Sequence, residues 1–310
     1  FPRHLVTELD PDKKQITVEN LETGESFSES YDKLVLATGA SSFVPPLPGI
    51  DKENVFALRS AGDADKIRDF ILSRRPRNAV IVGTGFIGLE VAENLLMRGI
   101  HTTLVELAPQ VMPALDSDMA DLVREHIEAQ GVDVITGDSV ASLEGGRFAT
   151  KAVLKGGTEL AADMIIMAVG VRPNVSLARQ AGLNLGATGA IAVNKAMETS
   201  VADIYACGDC AESYSVVTGK PFYRPLGSTA NKMGRVVGIQ VSGGSLEFQG
   251  GLGTGIFKLF DLAVAQTGLT AKEALKEGFD IVTVKDTRSD KPGYFHGEEM
   301  TIKTVADRKT

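Results

Sequence analysis

The sequence has no tryptophan, two cysteines and four histidines in 310 residues. Two cysteines are too few for a domain held together by several disulfide bonds, and they suit a reducing compartment. No apolar run reaches the roughly 18 residues that suggest a membrane span. The first ten residues also lack the apolar centre of a secretory signal peptide. We therefore expect a soluble, cytoplasmic protein that makes no membrane contact.

Positive charge is also scarce. The chain carries 32 Lys and Arg against 40 Asp and Glu, which gives a formal net charge of −8. A nucleic-acid-binding surface needs clustered Lys and Arg, and no basic stripe is present. The histidines have no partner pattern that suggests a metal site. With 43% hydrophobic and 23% charged residues, the composition predicts two or three globular domains and argues against nucleic acid and metal as ligands.

The strongest local signal is a glycine-rich turn with the spacing Gly-x-Gly-x-x-Gly. Its glycines are Gly83, Gly85 and Gly88. The apolar patterns around it predict a strand at 78–82, a helix at 86–98 and a second strand at 102–105. A turn of this kind between a strand and a helix is typical of a nucleotide-binding βαβ unit. A merely structural βαβ turn is the alternative.

Each glycine has a steric role in such a unit. Gly83 allows the tight turn, Gly85 lets the backbone approach a pyrophosphate, and Gly88 lets the helix lie close to the strand. The pyrophosphate would meet the N–H groups at the start of the helix, around Phe86 and Ile87, where the helix dipole is positive.

Glu106 ends the second predicted strand, and it follows Gly88 at the distance required of a ribose-binding acid in such a unit. A carboxylate at this position can accept hydrogen bonds from both ribose hydroxyls and repel a 2′-phosphate. The next residues, Leu107, Ala108 and Pro109, offer no cation for such a phosphate, although a distant Arg could reach it. The pattern therefore favours NAD over NADP.

Two segments of the chain resemble each other. Residues 31–40 and 162–171 share the pattern Asp-x-apolar-apolar-apolar-Ala-x-Gly. Each predicts a buried strand that ends near a glycine, Gly39 after Thr38 in one copy and Gly170 in the other, where the chain could pass a bound nucleotide. Two ordinary core strands are the alternative. Because one copy precedes the Gly-rich unit and the other closes it, we favour two nucleotide-binding domains threaded through one another.

These motifs, with METSVADIYACGDCAE at 197–212, resemble the FAD-dependent pyridine nucleotide-disulfide oxidoreductases, nearest to the coenzyme A-disulfide reductase and NADH oxidase branch. The resemblance implies an α/β fold of two interleaved Rossmann-like domains, the FAD domain incomplete, and an incomplete C-terminal α+β dimerisation domain. The predicted segments are 1–45 (the end of the first FAD segment), 46–60 (linker), 61–174 (NAD(H) domain), 175–248 (second FAD segment) and 249–310 (partial dimerisation domain).

The family's first Gly-x-Gly-x-x-Gly and its reactive cysteine correspond to positions upstream of residue 1. By resemblance we therefore expect a piece of a longer protein that is a homodimer when intact. We also expect the reactive cysteine to lie outside this chain, and FAD to bind weakly or not at all to the chain alone.

The resemblance also assigns cofactor contacts. In the family, the acid at Asp209 hydrogen-bonds the ribityl chain, and the helix predicted at 229–241 directs its N-terminus at the flavin, whose developing negative charge it would stabilise. The expected FAD contacts are Thr38, Gly39, Gly208, Asp209, Leu226, Gly227, Thr229 and Ala230. For the last four, a helix that only packs on the sheet is the alternative.

Two residues of the Gly-rich unit have further expected roles. Phe86 occupies the position of an aromatic ring that gates the flavin in the family, and a core residue is the alternative. Glu90 would position the nicotinamide carboxamide, and a solvated helix carboxylate is the alternative. The expected NAD(H) contacts are Gly83, Gly85, Phe86, Ile87, Gly88, Glu90, Glu106 and Gly170.

Both cysteines lie in a Cys-x-x-Cys pattern, Cys207 and Cys210. Reactive pairs of this kind have a thiolate at a helix N-terminus or beside cations. Here the neighbours include Asp209 and Glu212 and no Lys or Arg, so we favour packing over a redox pair. Tyr294 matches a family tyrosine that lies near the partner's reactive cysteine, and it is the candidate proton donor. A half-buried aromatic residue is the alternative.

For the intact protein, the resemblance implies hydride transfer from NADH to FAD and then to a disulfide such as coenzyme A disulfide or polysulfide. Reduction of oxygen or peroxide by an NADH oxidase or peroxidase is one alternative. A nucleotide-binding module without turnover is another. The sequence leaves the electron acceptor open.

Overall fold

A computed structural model describes residues 1–309. The strands are β1 (His4–Asp10), β2 (Gln15–Asn20), β3 (Ser26–Ser30), β4 (Leu34–Leu36), β5 (Ala40–Ser42), β6 (Val55–Ala57), β7 (Asn78–Val82), β8 (His101–Glu106), β9 (Asp133–Thr136), β10 (Val140–Gly145), β11 (Ala149–Leu154), β12 (Glu159–Ala161), β13 (Met164–Met167), β14 (Val171–Pro173), β15 (Ile204–Ala206), β16 (Ser213–Tyr214), β17 (Pro221–Phe222), β18 (Gly255–Leu259), β19 (Leu262–Gln266), β20 (Ile281–Ser289) and β21 (Glu299–Asp307). The α-helices are α1 (Ala61–Arg74), α2 (Phe86–Leu96), α3 (Ser117–Ala129), α4 (Ser176–Gln180), α5 (Gly227–Val241) and α6 (Ala271–Lys276).

The chain forms two compact units. The first unit contains Phe1–Ser41 and Val171–Gly255, and the second contains Ser42–Gly170 and the residues from Ile256 onward. Each unit is thus built from two separate stretches of chain. The segment limits predicted from the sequence remain a prediction.

The second unit is built on a five-stranded parallel sheet in the order β6-β13-β7-β8-β9. Helices α1, α2 and α3 connect β6 to β7, β7 to β8 and β8 to β9. This alternation of strands and helices is the Rossmann-like arrangement, and it confirms the predicted α/β class. The carboxyl ends of β7 and β8 lie side by side, because Val82 pairs with Val105.

Both faces of β7 are covered. Ala79 and Ile81 belong to the buried cluster that contains residues of α2 and α3. Val80 and Val82 belong to a second cluster with Leu154, which lies on β11 in the antiparallel sheet β10-β11-β12. Because successive side chains point to opposite faces of a strand, a strand covered on both sides must be apolar throughout. This explains the continuous apolar run at 78–82.

The first unit contains an antiparallel sheet β1-β2-β3 and the parallel pair β4 and β15. Helix α5 contributes Met233, Val236 and Val237 to its core. The buried strand expected within residues 31–40 is confirmed for Leu36, which is 4% exposed, but the expectation is wrong for Val35, which is 36% exposed. Within residues 1–309, β4 pairs with one neighbour only, so one edge of it is uncovered. The similar segment in β13 is buried at all four positions.

The residues from Ile256 onward form two hairpins, β18 with β19 and β20 with β21, separated by α6. Helix α6 begins with a capping box: the Thr270 hydroxyl accepts from the Glu273 N–H, and the Glu273 carboxylate accepts from the Thr270 N–H. Phe257 and Leu259 lie in the same buried cluster as residues of α2 and α3. This C-terminal segment (residues 256–309) therefore packs on the helices of the parallel sheet.

The predicted elements differ from the structure mainly at their ends. The strand predicted at 78–82 matches β7, whereas α2 ends at Leu96 rather than residue 98, and α5 begins at Gly227 rather than 229. Helix ends depend on capping and fraying that apolar periodicity does not encode. None of the helices in residues 1–309 combines the length and apolar character needed to cross a bilayer. Over the same residues, no group of three or more His, Cys, Asp or Glu side chains is arranged to hold a metal ion.

Candidate functional site

Gly83 and Gly88 hold the turn after β7 in close contact with its surroundings. Gly83 has a φ of +103°, and a Cβ atom there would lie 2.4 Å from the carbonyl oxygen of Ala168. A Cβ on Gly88 would lie 2.1 Å from the carbonyl oxygen of Gly83. Only glycine allows these backbone approaches. The two residues therefore have a packing role that holds whether or not a ligand is present.

Gly85 differs from the other two glycines. It is exposed, and a Cβ atom built on it would meet nothing within 4 Å. It is also the N-cap of α2, with no side-chain hydrogen bond to cap the helix. The first N–H groups of α2 are thus free of a side-chain cap on an open face. Such a helix start suits an anionic group such as a pyrophosphate.

Glu106 ends β8 beside this turn, and its carboxylate is held by backbone and side-chain donors. Oε2 accepts from the Thr84 N–H at 2.9 Å and from the Thr84 hydroxyl at 2.7 Å. Oε1 accepts from the Ala108 N–H at 2.9 Å. Each carboxylate oxygen has two lone pairs, so Oε1 can accept a further hydrogen bond. The carboxylate is half-buried and fixed in orientation, which is what recognition of a diol requires.

The remaining predicted NAD(H) residues lie on the same unit. Phe86 and Ile87 begin α2, and the Phe86 ring packs edge to face on Phe257, with ring centroids 5.0 Å apart. Glu90 is exposed on α2; partial desolvation, and then the nearby Glu93 carboxylate, raise its pKa. Gly170 follows β13, is exposed and has a φ of +105°.

In the first unit, a concave surface brings together several of the predicted FAD residues. Gly208, Asp209, Leu226, Thr229 and Ala230 line it. Residues that the sequence did not single out also line it, among them Ser213, Tyr223 and Arg224.

Two polar features mark this surface. The Ser213 hydroxyl is buried without a hydrogen-bond partner in residues 1–309, and the Tyr223 hydroxyl donates to the Asp209 carbonyl oxygen at 2.8 Å. Gly227 begins α5, whose N-cap Leu226 makes no side-chain capping hydrogen bond. A polar ligand at this surface would find donors at the helix start and an unpaired hydroxyl.

Thr38 and Gly39 do not line that surface. They follow β4, and their partner is Asn174: its side-chain amide donates to the Thr38 carbonyl at 2.8 Å, and its N–H donates to the Gly39 carbonyl at 2.9 Å. Since β4 and β15 are parallel neighbours, Thr38 and Gly208 follow adjacent strand ends. The two groups of predicted FAD residues thus share one edge of the sheet.

The Cys-x-x-Cys pair is buried and reduced. Both thiols are free and buried, and burial, followed by the neighbouring Cys210, raises the pKa of Cys207 to about 11. The Cys210 sulfur lies 3.4 Å from the Leu36 carbonyl oxygen and 3.3 Å from that of Cys207. These properties support the packing role, because a reactive thiolate needs a lowered pKa and access to solvent.

Tyr294 lies in the connection between β20 and β21. It is 83% exposed and its ring contacts Phe295, with centroids 4.9 Å apart. The alternative of a half-buried aromatic residue is therefore wrong, and the role of Tyr294 as a proton donor stays a prediction.

Comparisons with known proteins identify the family of the chain. The sequence profile of the pyridine nucleotide-disulphide oxidoreductase family matches residues 2–233. The chain belongs to this family. The NAD(P)H sulfur oxidoreductase (CoA-dependent) of Pyrococcus furiosus is 40% identical over 291 residues, which cover 93% of this chain and 65% of the relative. The chain thus spans somewhat less than two thirds of that relative's length.

Two solved structures have the same fold. The NAD-dependent persulfide reductase from A. fulgidus has a TM-score of 0.95 and 38% identity, with 98% of this chain and 56% of that one covered. An engineered water-forming NADPH oxidase bound to NADPH, a mutant of a Lactobacillus brevis NADH oxidase with five substitutions, has a TM-score of 0.92 and 28% identity, with 98% of this chain and 67% of that one covered.

Membership of the pyridine nucleotide-disulphide oxidoreductases implies FAD and NAD(P)H as cofactors. The residues present fit both groups: the open face at Gly85 suits a dinucleotide, and the unpaired Ser213 hydroxyl lies where a polar flavin atom could use it.

Sequence reasoning missed Thr84, Ser213 and Tyr223. Thr84 is the variable residue between two motif glycines, so its hydroxyl could have been noticed. The other two lie in irregular segments that carry no periodic signal.

Proposed function

We propose that the protein of which this chain is part transfers a hydride from NADH through FAD to a small sulfur-containing acceptor, such as coenzyme A disulfide or polysulfide. The observation that carries the proposal is the open backbone at Gly85 beside the fixed carboxylate of Glu106. The acceptor class is supported by the 40% identity to a sulfur oxidoreductase.

The turn and the acid would bind the adenosine half of NADH. The N–H groups at the start of α2 would donate to the pyrophosphate, because Gly85 lets it approach the backbone and no side chain caps the helix. Glu106 would accept from the ribose hydroxyls. Gly83 and Gly88 would keep the helix close enough to the sheet for both contacts to occur together.

The residues that follow would bind the nicotinamide half. We propose that Phe86 covers the ring's site until NADH displaces it, that Ile87 and Gly170 border the ring, and that Glu90 orients the carboxamide. The raised pKa of Glu90 means that its carboxyl keeps a proton to a higher pH than usual, and either protonation state can form a hydrogen bond with a carboxamide.

In the first unit, we propose that Asp209 binds the ribityl chain of FAD. Leu226, Gly227, Thr229 and Ala230 would present the start of α5 to the flavin, and Thr38, Gly39 and Gly208 would border it from adjacent strand ends. A positive helix terminus would stabilise negative charge on a reduced ring. When bound, NADH supplies the hydride and FAD supplies the ring that takes it up.

Preference for NADH over NADPH is supported by the engineered NADPH oxidase. Its five substitutions include a glycine replaced by alanine and, further along its chain, an aspartate replaced by alanine. The spacing between those two positions is the same as the spacing between Gly88 and Glu106 in this chain. A carboxylate at this position would repel a 2′-phosphate, since like charges at close range disfavour binding.

We further propose that the whole protein is a cytoplasmic homodimer in which Tyr294 acts as a proton donor near the acceptor. Support for an interface comes from apolar side chains that the β20–β21 hairpin leaves uncovered, such as Val284, 60% exposed, and Ile302, 50% exposed. Analytical ultracentrifugation of the full-length protein would test the dimer. Tyr294→Phe should lower turnover with the sulfur acceptor, whereas the adjacent Phe295→Leu should not.

The function is tested by replacing Glu106 with Gln, which keeps the shape and removes the charge. NADH affinity should fall and discrimination against NADPH should shrink, as measured by nucleotide titration and by steady-state turnover with each nucleotide. Glu125→Gln, on the exposed face of α3, is the control for loss of a charge. Unchanged affinities for both nucleotides in Glu106→Gln would contradict the proposal.

The acceptor needs its own test, because a second candidate is an NADH oxidase. The likeness to a water-forming NADPH oxidase over 98% of the chain favours it. NADH consumption by the full-length protein with oxygen alone, measured with an oxygen electrode, can be compared with anaerobic consumption with coenzyme A disulfide or polysulfide. Turnover confined to oxygen would favour the oxidase.

A further inference from the structure

The loop between β8 and α3, residues 107–115, connects the proposed ribose acid to the C-terminal segment. We call it the ribose loop. It starts directly after Glu106 and ends before Asp116, the N-cap of α3. Met112 within it has a φ of +45°, a left-handed conformation that a side chain adopts only when its surroundings impose it. The loop therefore needs contacts that hold it.

One side of the ribose loop is held by the nucleotide-binding turn. The Met112 N–H lies 3.3 Å from both the carbonyl and the hydroxyl oxygen of Thr84. The same Thr84 hydroxyl donates to Glu106, which in turn accepts from the Ala108 N–H. The position of the carboxylate and the path of the loop are thus set by one hydrogen-bond network.

The other side is held by the C-terminal segment. The ammonium group of Lys272, on α6, donates to the carbonyl oxygens of Pro113 and Leu115, the latter at 3.2 Å. The Gln110 side chain also donates to the Leu115 carbonyl, at 3.0 Å. A cation donating to a carbonyl makes a stronger hydrogen bond than a neutral donor. Among the residues that the structure describes, Lys272 is the charged side chain that donates to the Pro113 and Leu115 carbonyls, so it should hold them more firmly than Gln110 does.

The engineered NADPH oxidase indicates which part of the nucleotide the loop borders. Another of its five substitutions replaces a proline by arginine. That proline follows the replaced glycine at the same spacing at which Pro113 follows Gly88 in this chain. A cation introduced at this position in a protein bound to NADPH indicates that the loop borders the adenosine ribose.

We propose that Lys272 is a positioning residue for NADH: through the carbonyls of Pro113 and Leu115, it holds the ribose loop in the path that keeps Glu106 and the loop backbone aligned for the adenosine half of the nucleotide. The inference rests on the proposed NADH site and deepens it. It means that α6, a helix distant in sequence from the Gly-rich turn, contributes to nucleotide affinity. In this proposal Lys272 acts on the nucleotide through the loop and not by direct contact.

The test compares Lys272→Met, which keeps most of the length of the side chain and removes its donors, with Lys272→Arg, which restores a cation. Lys276→Met is the matched control, because Lys276 is exposed at the other end of the same helix. The dissociation constants of NADH, of ADP-ribose and of reduced nicotinamide mononucleotide are measured by calorimetry on the full-length protein, alongside the thermal midpoint and the values of kcat and KM.

Lys272→Met should weaken the binding of NADH and of ADP-ribose by roughly 3- to 10-fold, the range that corresponds to the net contribution of an ordinary hydrogen bond. KM for NADH should rise with kcat unchanged. The affinity for reduced nicotinamide mononucleotide should stay the same, and Lys272→Arg should recover most of the loss. Lys276→Met should resemble the wild type in all three affinities.

Equal affinities of Lys272→Met and wild type for ADP-ribose would overturn the inference. It would also be overturned if Lys272→Met lost affinity equally for ADP-ribose and for reduced nicotinamide mononucleotide and had a lowered thermal midpoint, because the role of Lys272 would then be structural only. Failure of the wild type itself to bind ADP-ribose would instead refute the proposed site.

Discussion

The ammonium group of Lys303 lies 3.0 Å from Oδ2 of Asp116, and the two side chains are only 14% and 10% exposed. The same Asp116 carboxylate accepts from the N–H groups of Ala271 and Lys272, at 3.0 and 3.2 Å. Asp116 is the N-cap residue of α3, yet its side chain makes no capping bond to its own helix. It accepts instead from the first two N–H groups of α6, so one carboxylate joins α3, α6 and β21.

This geometry predicts that Lys303→Met destabilises the second unit by about 3 kcal/mol, because the buried Asp116 carboxylate would lose its cation and Asp118 would lose its contact at 2.6 Å. Chemical denaturation followed by circular dichroism would measure the change in the free energy of unfolding. Lys285→Met is the control. Its ammonium lies 3.9 Å from Asp118 and both side chains are more than a third exposed, so its loss should cost less than about 1 kcal/mol. Similar losses in both variants would contradict the prediction.

The Asp116 contacts also predict a dependence on acid. Desolvation acts to raise the pKa of Asp116, but hydrogen bonds from the Ala271 N–H, from Lys303 and from the Lys272 N–H outweigh it, so the pKa lies below its ordinary value of 3.8. A carboxylate with a lowered folded-state pKa contributes stability above its unfolded pKa and loses it as the pH falls through the folded value.

The contribution of the Asp116 carboxylate to the free energy of unfolding should therefore be fully present above about pH 4. It should decline as the pH falls further, through the folded-state pKa. The pKa values of Asp10, Asp63 and Asp203 are lowered too, so the measure is the difference between wild type and Asp116→Asn in denaturant midpoints over this range. That difference should shrink towards acid. A constant difference down to pH 3 would show that Asp116 contributes shape rather than charge.

The nucleotide-binding unit could be predicted from the sequence because its determinants are local. The glycines, the strand before them and Glu106 all lie within the single stretch 78–106, and periodicity and steric rules suffice to connect them. Thr84, which donates to the Glu106 carboxylate, also lies inside the motif. Local chemistry of this kind can be derived from a single sequence.

The contacts of the C-terminal segment could not be derived in this way. Ala271 and Asp116 are 155 residues apart, and nothing in the composition of either segment indicates the other. The exposure of Val35 and Tyr294 was likewise missed, since it depends on which neighbours cover β4 and the β20–β21 connection. Such features arise from tertiary packing, which local patterns do not specify.

The buried cysteines lead to a third prediction, on thiol reactivity. With the pKa of Cys207 raised to about 11, its thiolate fraction at pH 8 is on the order of one part in a thousand. Iodoacetamide should therefore label the native chain at pH 8 far more slowly than the urea-unfolded chain, as followed by mass spectrometry. Rapid native labelling, or a Cys207–Cys210 disulfide formed with a mild oxidant while the protein stays folded, would restore the redox alternative.

The last prediction separates binding from packing within the Gly-rich turn. Gly85 has a φ of −74° and open space at its Cβ position, so Gly85→Ala should change the free energy of unfolding by less than about 1 kcal/mol. Its methyl group would point into the open face where the pyrophosphate is proposed to lie, and NADH affinity should fall about tenfold or more.

Gly88→Ala should show the opposite pattern. Its Cβ would lie 2.1 Å from the Gly83 carbonyl oxygen, a backbone atom that cannot move aside cheaply, so the unfolding free energy should fall by about 2–3 kcal/mol. NADH affinity, measured well below the unfolding midpoint, should fall mainly because the added methyl group displaces the backbone of the turn. If Gly85→Ala binds NADH as the wild type does while the fold is intact, the open face beside α2 is not where the dinucleotide binds, because a methyl group in the path of the pyrophosphate must oppose it.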